Sequence, residues 1–193
     1  MCAAELSVEY FSGPGEFREW LGAHHDSSPG IWLKMAKKGS AHSSINYDQA
    51  LQVALCYGWI DSQVRRVDDD FFVQRFTPRS SRSPWSKRNR EFAEKLAEAG
   101  LLEPGGAAEV ERARADGRWD RAYAGQKAAE IPQDFLDALA QNPEAEAFYA
   151  TLDSHNRYAV YFRLQDATRR PETRARRIEK FVQQLSERRK FHD

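Results

Sequence analysis

Residues 59–67 and 70–77 form two consecutive runs in which apolar and polar side chains alternate. A period of two predicts β-strands, and the two aspartates between the runs predict a tight antiparallel hairpin. With a two-residue turn, Val64 would pair with Val73 and Ile60 with Thr77. The chain is therefore expected to contain a sheet, which excludes an all-helical fold.

The same register assigns the hairpin side chains to two faces of different character. The apolar face, expected to lie against the core, carries Ile60, Val64, Phe71 and Val73. The other face mixes charged, amide and aromatic groups, namely Asp61, Gln63, Arg65, Phe72, Gln74 and Phe76. A face meant only for water has little need of two phenylalanines, so this second face is a candidate binding surface. A slip of one residue would exchange the two faces.

Further signals place a third strand and several helices around the hairpin. Residues 31–37 alternate with a period of two, which predicts a strand. Asn46 and Gln49 form a capping-box signature, and Gly58 is placed to end the helix that follows. Ser86 predicts the N-cap of another helix.

From residue 131 onward the pattern is wholly helical, and Pro171 opens a last helix with a regular apolar stripe. The predicted fold is α+β, with a small antiparallel sheet and helices in the N-terminal part and a helical module in the C-terminal part. The expected divisions are an α+β core domain over 1–117, a connector over 118–130 and a helical module over 131–193.

Charge and cysteine content limit the classes of protein. The chain has 29 Lys and Arg against 29 Asp and Glu, so a nucleic-acid partner is not expected for the chain as a whole, although a local basic patch is compatible with this balance. No apolar stretch approaches the roughly 20 residues of a membrane span, and the first ten residues lack the pattern of a signal peptide. Cys2 and Cys56 are lone thiols. We therefore expect a cytoplasmic protein with no membrane span; its oligomeric state is not predicted.

Signatures of familiar cofactor and nucleophile sites are missing from the sequence. There is no glycine-rich phosphate loop and no Gly-x-Ser-x-Gly elbow. The five histidines show no metal-ligand spacing with Cys or Glu. Cys56 has two interpretations, a nucleophile or, as its apolar surroundings favour, an inert small hydrophobic residue. No cofactor and no metal are predicted.

The strongest chemical signal is a cluster of basic and aromatic residues around the hairpin. Such groups can hold an anion that carries a ring. The predicted ligand-binding residues are Trp32, Trp59, Asp61, Gln63, Arg65, Phe72, Arg75, Phe76, Arg79 and Trp85. Asp61 is the best candidate for a catalytic acid or base. In the alternative interpretation the tryptophans are core and the arginines are a solvated surface.

The last helix is rich in basic residues away from its apolar stripe. These are Arg169, Arg170, Arg174, Arg176, Arg177 and Lys180. An acidic or nucleic-acid partner could bind there, while a solvated helix face is the alternative. Cations near a helix N-terminus oppose its dipole, which keeps the patch as a candidate.

Several segments resemble the YdeI/OmpD-associated family. They are residues 17–21, 30–33, 37–40, 54–61, 75–79, 85–89, 156–158 and 171–178. The resemblance implies a bacterial-type cytosolic protein, α+β in its N-terminal part, with a helical C-terminal module. Some members are described as bacteriocin-protection or antimicrobial-peptide-resistance proteins, a label that supplies no catalytic residues. Relatives tend to have glycine where Ser62 stands, so this side chain could reshape a pocket.

Three hypotheses follow. The first is a stress- or resistance-associated module that binds a small anionic or aromatic ligand. The second is an enzyme that uses non-covalent acid/base catalysis on a small metabolite in the same cleft, with Asp61 as base and with Arg75 and Arg79 holding an anion. The third is a nucleic-acid or protein partner bound through the arginine-rich last helix.

Overall fold

The computed structural model describes residues 5–165 and 171–192. The chain divides into two compact units, Met1–Asp120 and Arg121–Asp193. Cys2, Arg169 and Arg170 lie outside the described residues. Within the described part, one mixed sheet of four strands lies in the first unit and eight α-helices are distributed over both. The predicted α+β class is confirmed.

The elements of the two units follow the chain in order. The first unit contains β1 (Val8–Tyr10), α1 (Pro14–His24), β2 (Ile31–Ala36), α2 (Tyr47–Cys56), β3 (Trp59–Arg66), β4 (Phe71–Pro78), α3 (Lys87–Glu98) and α4 (Pro104–Ala115). The second contains a short 3-10 helix (Gln126–Ala128), α5 (Gln133–Ala140), α6 (Pro143–Ala150), α7 (Ser154–Gln165) and α8 (Pro171–Ser186). No described helix is long and apolar enough to cross a membrane.

The strand order is β1-β2-β4-β3, and the pairs β2–β4 and β3–β4 are antiparallel. The sheet is nevertheless mixed rather than wholly antiparallel, because β1 pairs with β2 in parallel. The sequence pattern does not predict β1. A strand of three residues is too short to show an alternation that stands out from its surroundings.

The two faces of the sheet are set by β2. Ile31, Leu33 and Met35 are fully buried and define the inner face, and the residues that alternate with them define the outer face. On β4 the register partners of these three residues are Phe76, Gln74 and Phe72, which therefore share the inner face. Phe76 is 0% exposed and packs edge-to-face on Phe17 of α1, with the ring centroids 5.8 Å apart.

The predicted hairpin register holds at one end and fails at the other. Ile60 pairs with Thr77 as expected, but a bulge between Asp61 and Val64 shifts the pairing so that Val64 lies opposite Gln74. Ile60, Phe71 and Val73, which are predicted to face the core, therefore lie on the outer face. Val64, predicted to share their face, lies on the inner face but is 63% exposed. A bulge adds a residue on one strand and exchanges the faces beyond it, and the alternation pattern alone does not reveal it.

The helix signals at α2 are confirmed atom by atom. The Asn46 side chain accepts a hydrogen bond from the Gln49 amide at 3.0 Å, and Gln49 Oε1 accepts one from the Asn46 amide at 3.1 Å. Gly58 has a φ of 76° and follows the helix end. A Cβ at Gly58 would lie 2.8 Å from the Gly105 carbonyl oxygen, so α4 packs directly against this turn.

The second unit has a core of its own, formed by α5 to α8 and the residues that follow them. Its members are Phe135, Leu139, Ala145, Tyr149, Leu152, Ala159, Val160, Leu164, Ile178, Phe181, Leu185 and Phe191. The buried Asn156 side chain accepts hydrogen bonds from the amides of Phe191 and His192, both at 2.9 Å. These bonds fix the segment after α8 to the start of α7.

Candidate functional site

The outer face of the sheet carries a compact group of one tryptophan and two arginines, which we call the Trp32 cluster. Trp32 and Arg75 are register partners on β2 and β4. The Arg65 guanidinium carbon, on β3, lies 4.1 Å from the Trp32 ring centroid. Trp32 and Arg75 are half-buried and Arg65 is exposed. The three side chains thus combine a flat ring with two positive charges at the surface.

Arg75 has the most unusual environment of the three. Its Nε is buried without a hydrogen-bond partner among the described residues, and no carboxylate of those residues pairs with it. A guanidinium has five N–H donors in a fixed fork and cannot lose its charge. The buried Nε cannot reach a ligand, but the two Nη groups are not buried and also have no partner among the described residues, so they can donate to an external anion.

Asp61 lies on the inner face, opposite Phe76 in the register, and therefore points away from Arg75. Its Oδ2 accepts hydrogen bonds from the Tyr47 hydroxyl at 2.9 Å and from Gln74 Nε2 at 3.3 Å. Burial raises the pKa of the Asp61 carboxyl, while the Tyr47 hydrogen bond and the charges of Arg79 and Arg88 act in the opposite direction. Burial and the neighbouring carboxylate together raise the pKa of Tyr47.

We expect Asp61→Asn to raise the melting temperature at pH 8 and to leave it nearly unchanged at pH 4. The folded-state pKa of Asp61 lies above its unfolded value, so its contribution to stability is full below about pH 3.9. That contribution is lost as the pH rises through the folded-state pKa. Asparagine keeps an oxygen that accepts the Tyr47 hydroxyl and stays neutral at every pH. Thermal melts of both proteins between pH 4 and pH 8 measure the difference.

The exposed turn residue Asp69 supplies the control, because Asp69→Asn changes the same chemical group where the side chain is 92% exposed. Its effect on the melting temperature should be small at both ends of the range. An Asp61→Asn protein that loses stability relative to wild type as the pH rises would contradict the assignment.

Arg79 and Trp85 form a buried stack in the first unit. The Arg79 guanidinium carbon lies 3.7 Å from the Trp85 ring centroid, and Trp119 packs on Trp85 with its ring centroid at 4.9 Å. Arg79 Nη1 also donates to the Pro84 carbonyl at 3.2 Å. Trp85 is 2% exposed and Arg79 is 6% exposed, so this stack joins a loop to the connector and presents little surface to a ligand.

The remaining predicted site residues lie apart from the Trp32 cluster. Trp59 is 1% exposed, and its indole nitrogen donates to the His25 carbonyl at 3.2 Å. Phe76 is core, Phe72 is half-buried on the inner face, and Gln63 is exposed in the bulged part of β3. The structure therefore brings together Trp32, Arg65 and Arg75, and it separates Asp61 from them by the thickness of the sheet.

Tyr47 is the residue of this region that sequence reasoning missed. The capping signature of α2 does not single out Tyr47, whose hydroxyl is the hydrogen-bond partner of Asp61. The two residues are 14 positions apart and on different kinds of element. No local sequence pattern reports such a contact.

Two arginines of the last helix have structural partners. Arg174 pairs with Asp134 and also donates through Nη1 to the Leu164 carbonyl at 2.9 Å. Arg177 Nη1 donates to the Arg163 carbonyl at 2.5 Å. Both carbonyls belong to the last turn of α7, so these cations serve the C-terminal end of a neighbouring helix. Arg176 and Lys180 are exposed, and partner binding through this helix stays a prediction.

The geometry of the histidines and cysteines adds no further chemistry. Over residues 5–165 and 171–192, no three His, Cys, Asp or Glu side chains gather in a way that could hold a metal ion. Cys56 is fully buried, and burial raises its pKa although Arg18 Nη2 lies 3.5 Å from its sulfur. A thiol with a raised pKa is a poor nucleophile at neutral pH.

Comparison with known families gives two matches. Residues 9–109, half of the chain, match the family described as domain of unknown function DUF8412. Residues 128–188 match the OmdA family, described as "Bacteriocin-protection, YdeI or OmpD-Associated". The YdeI/OmpD-associated resemblance is thus confirmed for the C-terminal part, and the N-terminal segments fall under the other model. No curated protein and no solved structure gives a significant match.

Proposed function

The chain belongs to the DUF8412 family, whose description assigns no function, and we propose that it binds a small anionic ligand with an aromatic ring at the Trp32 cluster. The ring stacks on Trp32 beneath the Arg65 guanidinium, and the anionic group is held by Arg75. The main support for this proposal is the environment of Arg75. This half-buried cation lies next to Trp32 and has no acidic partner among the described residues.

The physical terms of such binding are complementary. A guanidinium over a tryptophan face contributes about 0.5–2 kcal/mol. At 4.1 Å the Arg65 guanidinium already lies in contact with the Trp32 ring, so the exposed Arg65 side chain has to move outward before a planar ligand can stack between the two. Charge-assisted hydrogen bonds from Arg75 are about twice as strong as neutral ones. The ring gives affinity and the anion sets the orientation.

The family match of the C-terminal part supports a physiological role for this binding. Its family is described by bacteriocin protection, so the ligand belongs, in this proposal, to a stress or antimicrobial-resistance response in the cytoplasm. The ligand-binding role itself rests on the Trp32 cluster and does not depend on the setting.

We expect Arg75→Met to weaken ligand binding by about tenfold or more, because hydrogen bonds to a charged group contribute about 1.5–3 kcal/mol. Methionine keeps an apolar stem over the strand and removes only the charge and the donors. A thermal-shift screen with nucleotides, aromatic carboxylates and anionic metabolites identifies a ligand. Titration calorimetry of wild type and variant then measures the loss.

Arg66→Met is the matched control for Arg75→Met, because Arg66 follows Arg65 on β3 and its guanidinium pairs with Asp69 in the turn. It removes the same charge from the neighbouring strand, at a residue outside the Trp32 cluster. If both variants bind equally well, or if every ligand that binds is neutral, the proposal is wrong.

A second function, non-covalent acid/base catalysis, is favoured by one observation. Asp61 is a desolvated carboxyl with a raised pKa and a hydrogen-bonded tyrosine, which is a pattern found at catalytic acids and bases. Any such site would use Tyr47 and Asp61, since Arg75 lies on the other face and Arg79 is buried against Trp85. Turnover that Asp61→Asn leaves at the wild-type rate would remove Asp61 from this role.

A further inference from the structure

The outer face of the sheet continues beyond the Trp32 cluster, and all its charged side chains have one sign. Lys34 on β2, Arg65 on β3 and Arg75 on β4 are cationic. The two acidic residues within the four strands, Glu9 and Asp61, are register partners of Leu33 and Phe76 and lie on the inner face. In a chain of zero net charge, the strands therefore place three positive charges and no negative one on this face. Asp68, in the turn after β3, lies close enough to Lys34 for their charges to interact.

A second group of aromatic rings lies on this face, and we call it the Phe71 cluster. Tyr10 of β1 packs edge-to-face on Phe71 with ring centroids 6.2 Å apart, and the His42 ring lies 4.8 Å from the Phe71 ring. Lys34 Nζ lies 4.0 Å from the Phe71 centroid. This group repeats the composition of the Trp32 cluster, with aromatic planes next to a cation. Tyr10 is 45% exposed, so the group is accessible from solvent.

The register gives the spacing of the two clusters. Phe71 is the partner of Ala36, which lies four residues along β2 from Trp32. At about 3.3 Å per residue this separation is about 13 Å. Adjacent stacked bases rise by only about 3.4 Å along a strand of the double helix. A single small ligand therefore occupies one cluster, whereas a chain of nucleotides can reach both.

We propose that the outer face binds single-stranded nucleic acid, with one base on Trp32, a second base on the Phe71 cluster, and phosphates on Arg75 and Lys34. The inference rests on the proposed function for its first half, since the Trp32 cluster is the same site, and it names the ligand class. Bases present their flat faces only when they are unpaired, and stacking on aromatic side chains is tolerant of sequence. An acidic polypeptide would satisfy the cations but would leave the two sets of aromatic rings without a stacking partner.

The test uses the full-length protein, thymidine 5′-monophosphate, a fluorescently labelled thymidine hexanucleotide and the same hexanucleotide in a duplex. We expect the single strand to bind at least about tenfold more tightly than the monophosphate, because a second base adds its own stacking. The duplex should bind more weakly. The logarithm of the binding constant should fall with the logarithm of salt concentration with a slope of roughly −1.4, the value for two phosphate contacts.

Variants separate this inference from the proposed function. Phe71→Leu keeps the apolar volume and removes the stacking plane, and Lys34→Gln removes the second phosphate contact. Each should weaken hexanucleotide binding by about fivefold or more and leave monophosphate binding unchanged. Arg75→Met should weaken both, and Arg66→Met should change neither beyond its effect on net charge. Melting curves of each variant establish that it is folded, and Lys34→Gln carries the test if Phe71→Leu is not.

Four results would overturn the inference. A hexanucleotide that binds no more tightly than the monophosphate, or one whose binding ignores both Phe71→Leu and Lys34→Gln, leaves the proposed function standing at the Trp32 cluster alone. Competition by polyglutamate as strong as that by the hexanucleotide would assign the face to an acidic polypeptide. Absence of binding by either nucleotide would reject nucleic acid, and the proposed function would then depend on an aromatic acid from the screen.

Discussion

Replacing Gly106 with alanine is expected to destabilise the protein by about 3 kcal/mol, at the upper end of the usual cost of overpacking. Gly106 lies in the first turn of α4, directly over the carbonyl groups that end α2. A Cβ there would lie 2.7 Å from the Leu55 carbonyl oxygen and closer still to that of Cys56. Both contacts are with backbone, so α4 must move as a whole. Urea unfolding, followed by circular dichroism, measures the change.

Gly15→Ala is the control, since Gly15 also lies in the first turn of a helix and nothing lies within 4 Å of a Cβ at that position. Alanine there should be neutral or should stabilise the protein by up to about 1 kcal/mol, because it restricts the unfolded chain. Equal effects of the two substitutions would show that α4 does not pack on α2 as closely as the structure has it.

Trp85→Ala should cost about 3–5 kcal/mol, the range for removing a buried aromatic side chain. Trp85 lies between the Arg79 guanidinium and the Trp119 ring and is 2% exposed. Trp85→Phe should cost less than half as much. The Trp85 Nε1 atom has no hydrogen-bond partner among the described residues, so the change to phenylalanine removes packing contacts but no hydrogen bond. Urea unfolding of both variants gives the two free energies of unfolding.

Trp32→Ala provides the contrast, because Trp32 is half-buried on the outer face and its loss should cost about 1 kcal/mol or less. The two substitutions should therefore have opposite profiles. Trp85→Ala should lower stability, and Trp32→Ala should weaken ligand binding. A Trp85→Ala protein that unfolds like wild type but loses the ligand would return Trp85 to the binding site.

Much of the architecture of the first unit could be predicted because its signals are local. Asn46, Gln49 and Gly58 define α2 through contacts within a few residues of one another, and the structure reproduces each of them. The alternation over 31–37 likewise corresponds to β2. Local patterns carry this information since helix caps and strand periodicity depend on neighbours in sequence.

The candidate site was predictable only in part, for a reason visible at the bulge in β3. The basic-aromatic composition pointed to the strands of the sheet, and on its outer face Trp32, Arg65 and Arg75 come together. Asp61 was placed with them and lies on the opposite face. The choice of face depends on which side of β2 the helices cover, and the hairpin sequence does not contain that information.

The phenylalanines of the hairpin show the same division. The two phenylalanines predicted a face that is not fully exposed to solvent, but Phe76 packs on Phe17 of α1 rather than on a ligand. In the sequence, Arg174 and Arg177 lie near a helix N-terminus, where cations oppose the helix dipole. Their partners are the last carbonyls of α7, which only the packing of two helices brings within reach.

The amino-acid sequence by itself determined the α+β class, both ends of α2, the starts of α3 and α8, and the region in which basic and aromatic groups concentrate. These properties follow from interactions between residues a few positions apart. The tertiary structure alone decided that the face of Trp32, Lys34 and Arg75 is the outer one, that Asp61 joins Tyr47 on the inner one, and that Arg79 and Trp85 are buried. Those outcomes depend on contacts between distant segments, and such contacts are fixed only when the whole core packs.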